Sequence, residues 1–212
     1  MTNVYLYVVD RDFGFAPNPF HGLCTLATCK PRTRKGARVG DWVVGMGGGR
    51  LKATGKCIFA MKVSQLETFD SYWSSPLYKD KKPLRNGSRK MIVGDNIYWQ
   101  EEGEWRQLNS HHSFPDGSPN PHNILNDTQT NVVLVSNYFF YFGENAVEIP
   151  DKILTDLGYK NRQDHRKFSY QQACPLVDYL VKNFEINRLY GDPFDFEYAK
   201  SRYSKGTNKI ST

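Results

Sequence analysis

No stretch of about 18 apolar residues occurs anywhere in the 212-residue chain, which excludes a membrane-spanning helix. Met1 to Asp10 lacks the charged start and apolar core of a secretory signal, and four cysteines in a chain of this length make no dense disulfide framework. They stand at 24, 29, 57 and 174, so no pair has the spacing of a zinc knuckle, and the expected compartment is reduced and cytoplasmic. Fixed repeats and low-complexity tracts are missing, and regular helix-forming periodicity is scarce. That scarcity argues against a doubly wound nucleotide-binding sheet.

What is present is aromatic and basic. Aromatic residues make up 14% of the chain, hydrophobic residues 39% and charged residues 24%, the composition of an ordinary globular protein. Lysines and arginines number 28 against 22 acids, a net charge of +6, and the excess is clustered. Lys30, Arg32, Arg34, Lys35 and Arg38 fall within nine residues without an acid; Lys79, Lys81, Lys82, Arg85, Arg89 and Lys90 fall within twelve, opposed only by Asp80. Such clusters suit a polyanion, since each cation that neutralises a phosphate releases condensed counterions; a solvated loop is the other reading of each.

β-branched and aromatic runs predict strands at 4–9, 41–46, 56–66 and 131–142, and a hairpin at 97–100 and 105–108 around the turn at Glu102 and Gly103. Residues 22–29 read as a short helix whose start, near the turn at Asn18 to Phe20, would favour an anion. Pro150 opens a helix that Gly158 ends, and Pro175 opens another with Leu176, Val177, Leu180, Val181 and Phe184 on its apolar face. The expected fold is α+β, a small mixed, bent β-barrel with a few peripheral helices. Residues 1–158 form the main domain in this reading. Residues 159–212 form a helical extension packed on it and ending, after Tyr203, in a frayed tail.

Three chemical motifs fall short. The glycine run "GMGGGRLKATGKC" fails as a phosphate loop: Gly49 and Gly55 enclose five residues, Cys57 replaces the hydroxyl residue, and a strand follows. It reads as a turn between strands, with Arg50 and Lys52 at its tip. His111, His112 and His122 with Asp116 lie in a proline-rich loop, where adjacent histidines do not readily turn to one ion. No metal and no cofactor are expected. A thiol nucleophile needs a base, and His21 stands three residues before Cys24; both cysteines of that loop, 24 and 29, also read as small buried hydrophobes.

The segment "FAPNPFHGLCTLATCKPRTRKGARVGDWVVGMGG", preceded by "YLYVV" and followed by "IFAMKVSQLETFDSYW", resembles the nucleotide modification associated domain, type 2, a family of small bacterial and phage proteins. "YFFYFGENAVEIP" resembles it too, so the likeness covers roughly 1–158. It implies association with DNA modification or phage defence and hands over no settled activity. The strand order is also similar to that of PUA-like domains (EVE, YTH, ASCH), whose bent barrel holds a nucleobase between its first helix and neighbouring strands.

That resemblance, with the chemistry of base recognition, nominates residues. Phe20, Trp42, Tyr72 and Trp73 are stacking candidates, and Asn18, His21 and Thr25 are edge readers. Lys30, Arg32, Arg34 and Arg50 are phosphate contacts. Each has a structural reading as well: Trp42 in the core, Tyr72 and Trp73 capping the barrel, Phe20 as a staple, Asn18 closing a turn. Three function classes follow. They are a module binding a modified or flipped base in a nucleic acid or nucleotide, an enzyme acting on nucleotides or bases through His21, Cys24 or Asp41, and a protein-interaction factor using "LYGDPFDFEYAKSRY".

Overall fold

A computed structural model describes residues 2–161 and 165–211. The chain runs β1 (Asn3–Val9), β2 (Cys24–Leu26), α1 (Pro31–Gly36), β3 (Trp42–Gly47), β4 (Lys56–Lys62), β5 (Gln65–Glu67), α2 (Phe69–Ser74) and α3 (Arg89–Ile92). It continues through the hairpin β6 (Tyr98–Glu101) and β7 (Glu104–Gln107), then α4 (Pro121–Asp127), β8 (Val133–Ser136), β9 (Tyr138–Tyr141), β10 (Val147–Glu148) and α5 (Asp151–Asp156). Last come β11 (Arg166–Ser169), α6 (Tyr170–Asn183), β12 (Arg188–Leu189), β13 (Arg202–Ser204) and β14 (Lys209–Ser211).

Two sheets carry the molecule. The larger has the order β11-β1-β3-β4-β9-β12, with β10 also on β4; β1 pairs with β3, and β9 with β12, in parallel, and the other pairs are antiparallel. The smaller has the order β2-β8-β5. The run 131–142 feeds both: Ser136 and Asn137 interrupt its apolar residues and the chain breaks at Asn137, so β8 serves the small sheet and β9 the large one. The run 56–66 breaks in the same way, after Lys62.

The fold is mixed α+β, and no closed barrel forms among the described strands. Short strands β11 and β12 end the large sheet instead of meeting each other. The other departures have local reasons. Residues 22–29 are not a helix: Cys24, Thr25 and Leu26 pair with Ser136, Val135 and Leu134, so a tertiary ladder overrides the weak helical pattern. The last helix begins five residues before Pro175, because Ser169 and Gln172 close a capping box at its start. Where a frayed tail is expected, β13 and β14 form a hairpin anchored by Tyr203 N donating to the His111 carbonyl. The turn at Glu102 and Gly103 is as expected, both residues having positive φ.

One face of the large sheet packs Val4, Leu6, Trp42, Val44 and Phe140 against Leu176, Val177 and Leu180 of α6. Trp42 is almost wholly buried, edge-on to Tyr138 and parallel to Phe140. Trp42→Ala is expected to lower unfolding free energy by about 3–5 kcal/mol, the usual range for an aromatic deleted from a core, read from urea denaturation. A loss under about 1 kcal/mol would show that the site is not packed as described.

Candidate active site

The residues nominated from the opening loop turn inward. Asn18 is fully buried: its side-chain amide donates to the carbonyls of Gly14 (3.1 Å) and Val93 (2.9 Å), and its oxygen accepts from Lys81 Nζ at 2.7 Å. Lys81 also donates to the carbonyls of Asn18 and Leu23, and burial pulls its pKa down to about 8. Thr25 and Tyr72 both donate to the buried Asp95 carboxylate, each at 2.7 Å. Phe20 stacks on Phe196 in the interior.

Asn18, Phe20, Thr25, Trp42 and Tyr72 are thus all buried within the protein. The "NPF" motif makes a polar knot that fixes the loop. His21 is exposed, whereas Cys24 is buried against Met61, its thiol pushed up to about 12 by burial. Asp41 accepts from the backbone N–H groups of Asn3 and Arg38, so the second candidate set for chemistry does not assemble. Trp73 stacks on Trp99 with ring centroids 4.0 Å apart and Lys82 Nζ 3.6 Å above it, on a surface separate from the site below.

A cavity of about 700 Å³ opens elsewhere, between the end of β1, the turn at Cys29 and Lys30, the 111–112 loop and the β13–β14 hairpin. Lys30, Arg32 and Arg50 line it, as proposed for phosphate contacts; Arg34 does not. The cavity lining is partly aromatic, with Phe13 and Phe15 packed on the His111 ring and Tyr203 on the His112 ring. His111 donates from Nδ1 to the Ser201 carbonyl at 2.8 Å; burial holds its pKa down near 3, so the ring is neutral and Nε2 carries a lone pair.

At the cavity floor three side chains from distant parts of the chain meet in a cluster. Cys29 Sγ lies 3.7 Å from His112 Nε2, and His112 Nδ1 donates to Asp127 Oδ2 at 2.7 Å. Cys29 is half-buried and lines the cavity; His112 and Asp127 are buried beneath it. Cys29 and Lys30 both have positive φ, 56° and 40°, just before Pro31 opens α1. Two consecutive non-glycine residues in that region are strained by roughly 1–3 kcal/mol each, and such strain gathers at functional sites.

The support around this cluster is extensive. Asn120 caps α4 and Pro121 starts it, so Asn123 and Asp127, four residues apart, share the inner face. Asn123 donates to the His112 carbonyl at 2.6 Å while Asp127 holds the His112 ring. Asp127 also accepts from Tyr98 OH (2.9 Å), and from the backbone N–H of Cys29 (2.8 Å) through its other oxygen. Beneath them lies Arg34, wholly buried. Its guanidinium donates to the carbonyls of Cys29 (2.8 Å), Val132 (2.8 Å), Thr130 (3.4 Å) and Asp127.

Burial works against a charged His112, but the Asp127 carboxylate and the Cys29 thiol outweigh it and raise the pKa well above its ordinary value. Burial likewise opposes ionisation of Asp127, and His112 followed by Arg34 reverses that, leaving its pKa lowered. Both shifts favour the imidazolium–carboxylate form of the pair. Sγ, the imidazole and the carboxylate lie within 4.8 Å of one another, the spread of a metal-ligand set. Both ring nitrogens are already engaged, however, and a metal would have to break one of those two contacts.

Comparison with known families bears on the same residues. The model of the nucleotide modification associated domain 2 matches residues 1–200. The chain belongs to that family. No significant match to a curated protein or a solved structure accompanies it. The family ties the chain to nucleotide modification, and its match runs through Cys29, His112, Asp127 and most of the cavity wall. Sequence reasoning weighed Cys29 and His112 separately, for metal or packing, and passed over Asp127. The available signal was one cysteine at a basic turn with a histidine and an aspartate far downstream, and it does not say which of several candidates meet.

Two outcomes test the site's construction. Arg34→Met and Arg34→Lys are both expected to lower urea stability by about 3–5 kcal/mol, because buried carbonyls lose a partner that only the planar fork can supply. Equal stability of Arg34→Lys and wild type would remove the fork from the account. The second concerns pH. The folded imidazole holds its proton more tightly than the unfolded one, whose pKa is about 6.5, so the contribution of the His112–Asp127 pair is complete below that value. It is lost as pH rises through the folded pKa of about 10. Between pH 6.5 and 10, stability of wild type relative to His112→Gln should therefore decline; a flat difference contradicts the raised pKa.

Proposed function

We propose that the chain is a thiol-dependent enzyme of nucleotide modification, with Cys29 as nucleophile, His112 as its acid and base, and Asp127 as the group that orients the imidazole. The observation that carries this reading is the Cys29–His112–Asp127 cluster at the floor of a basic-rimmed cavity. A thiolate beside an imidazolium, the thiol proton having passed to Nε2, is the activated form of the nucleophile, and a buried carboxylate on Nδ1 holds the ring with Nε2 toward sulfur.

The reaction class that uses all three is acyl transfer. The Cys29 thiolate adds to an acyl carbon, forming a C–S bond, and the carbonyl electron pair moves to oxygen. When the pair returns, the bond to the leaving nitrogen, oxygen or sulfur breaks, and His112 Nε2 gives that atom its proton. Water, or an amine of a second substrate, then attacks the thioester, returns a proton to His112 and releases the thiolate. In the family's setting, the acyl donor or the acceptor is a nucleotide or nucleobase.

A second reading, a module that only binds a modified base, is favoured by the aromatic lining of Phe15, His111 and Tyr203. The two separate on thiol reactivity. At pH 7, iodoacetamide is expected to modify Cys29 at least tenfold faster than Cys174, a half-buried thiol without such a partner, with His112→Ala and Asp127→Asn removing most of the difference. Equal rates at the two cysteines in the native protein would sink the nucleophile and leave the binding module. Stoichiometric zinc that blocks alkylation would instead mark Cys29 as a ligand.

A further inference from the structure

The walls of the cavity carry Arg11, Lys30, Arg32, Arg50 and Lys205 against a single carboxylate, Asp10. These cations come from four separate places in the fold: the end of β1, the turn into α1, the turn after β3 and the β13–β14 hairpin. Arg32, Arg50 and Lys205 are exposed; Arg11 donates to the Asn208 carbonyl and Lys30 to the Val8 carbonyl. Convergence of like charge from separate elements raises the energy of the empty site and lowers that of an anionic complex.

A second observation is independent of charge. The hydroxyls of Tyr7 and Thr33 are buried and have no hydrogen-bond partner among the described residues, although both residues line this cavity. Buried hydroxyls are nearly always paired, so two orphans on one cavity wall, beside Cys29, point to a ligand that supplies acceptors. The volume, about 700 Å³, accommodates one nucleotide and is far too small for a duplex.

Resting on the enzyme reading above, we infer that the site takes a single phosphorylated nucleotide unit, its phosphate held by Arg32, Arg50 and Lys205. Tyr7 and Thr33 donate to oxygens at the reacting end. A 5′-phosphate is common to a free nucleotide and to the terminus of a single strand, and the polymer is admitted only by its last residue.

The test uses the full chain and four probes: 2′-deoxynucleoside 5′-monophosphates, the corresponding nucleosides, a 5′-phosphorylated oligonucleotide and inorganic phosphate. Each is titrated calorimetrically and also tried as protection of Cys29 against iodoacetamide. Monophosphates are expected to bind at least about tenfold more tightly than nucleosides, the effect of charge-assisted hydrogen bonds to phosphate, and to slow alkylation. The double variant Arg50→Ala, Lys205→Ala should abolish that preference. Tyr7→Phe and Thr33→Val should weaken monophosphate binding while leaving urea stability unchanged or higher, since neither hydroxyl has a partner to lose among the described residues.

The oligonucleotide arm distinguishes a free nucleotide from a strand end. Nucleosides binding as well as monophosphates, no binding of any probe, or full affinity in the double variant would overturn the inference. Rapid Cys29 alkylation in the same samples would leave the nucleophile standing. Conversely, phosphate-dependent binding with an inert thiol would retain the nucleotide site and discard the enzyme.

Discussion

One buried guanidinium holds the two halves of the site in register. Arg34 reaches from α1 to the carbonyls of Cys29, Asp127, Thr130 and Val132, so the Cys29 turn and the end of the helix that carries Asp127 meet on the same cation. Only a planar fork can serve carbonyls arriving from such different directions, and removing it would leave several buried acceptors unpaired. The backbone N–H of Cys29 bonds the Asp127 carboxylate in return, which makes the connection reciprocal. Everything the cavity can do depends on that closure.

The sheet architecture explains why the halves need such a device. The turn at Cys29 and Lys30 follows β2 in the small sheet, whereas His112 sits on an irregular loop after the β6–β7 hairpin and Asp127 at the end of α4. None of the three lies on the large sheet. Their positions are fixed by side-chain hydrogen bonds from Asn123, Gln107 and Tyr98 instead of by ladder pairing. Such a network is stiff when fully satisfied and fails as a unit when one member is removed.

Roles also divide between motifs that look alike in the sequence. The Asn18 loop and the Cys29 turn are neighbours along the chain. The first is consumed by internal bonds to Lys81, Gly14 and Val93; the second opens to the cavity. Buried polar groups of the first kind specify a backbone path, and half-exposed ones of the second kind meet ligands.

Much of the fold was legible in local pattern. Strands β1, β3 and β4, the β6–β7 hairpin and the amphipathic face of α6 follow from β-branched runs, a positive-φ turn and 3.6-residue periodicity, which are short-range properties. Lys30 and Arg32 stand out by clustering and Arg50 by its place at the tip of the glycine turn, and all three line the cavity. The break of 131–142 into strands of two sheets, the pairing of residues 24–26 and the terminal hairpin depend on partners far along the chain. So does the site itself: Cys29 meets a histidine 83 residues away, and that histidine meets a carboxylate 15 residues further on. The sequence by itself determined the residue types, the cysteine at a basic turn and the strands that frame it. Which cysteine faces a cavity, which histidine turns to it and which arginine is buried beneath them were decided by tertiary packing, because burial and long-range pairing have no local signature.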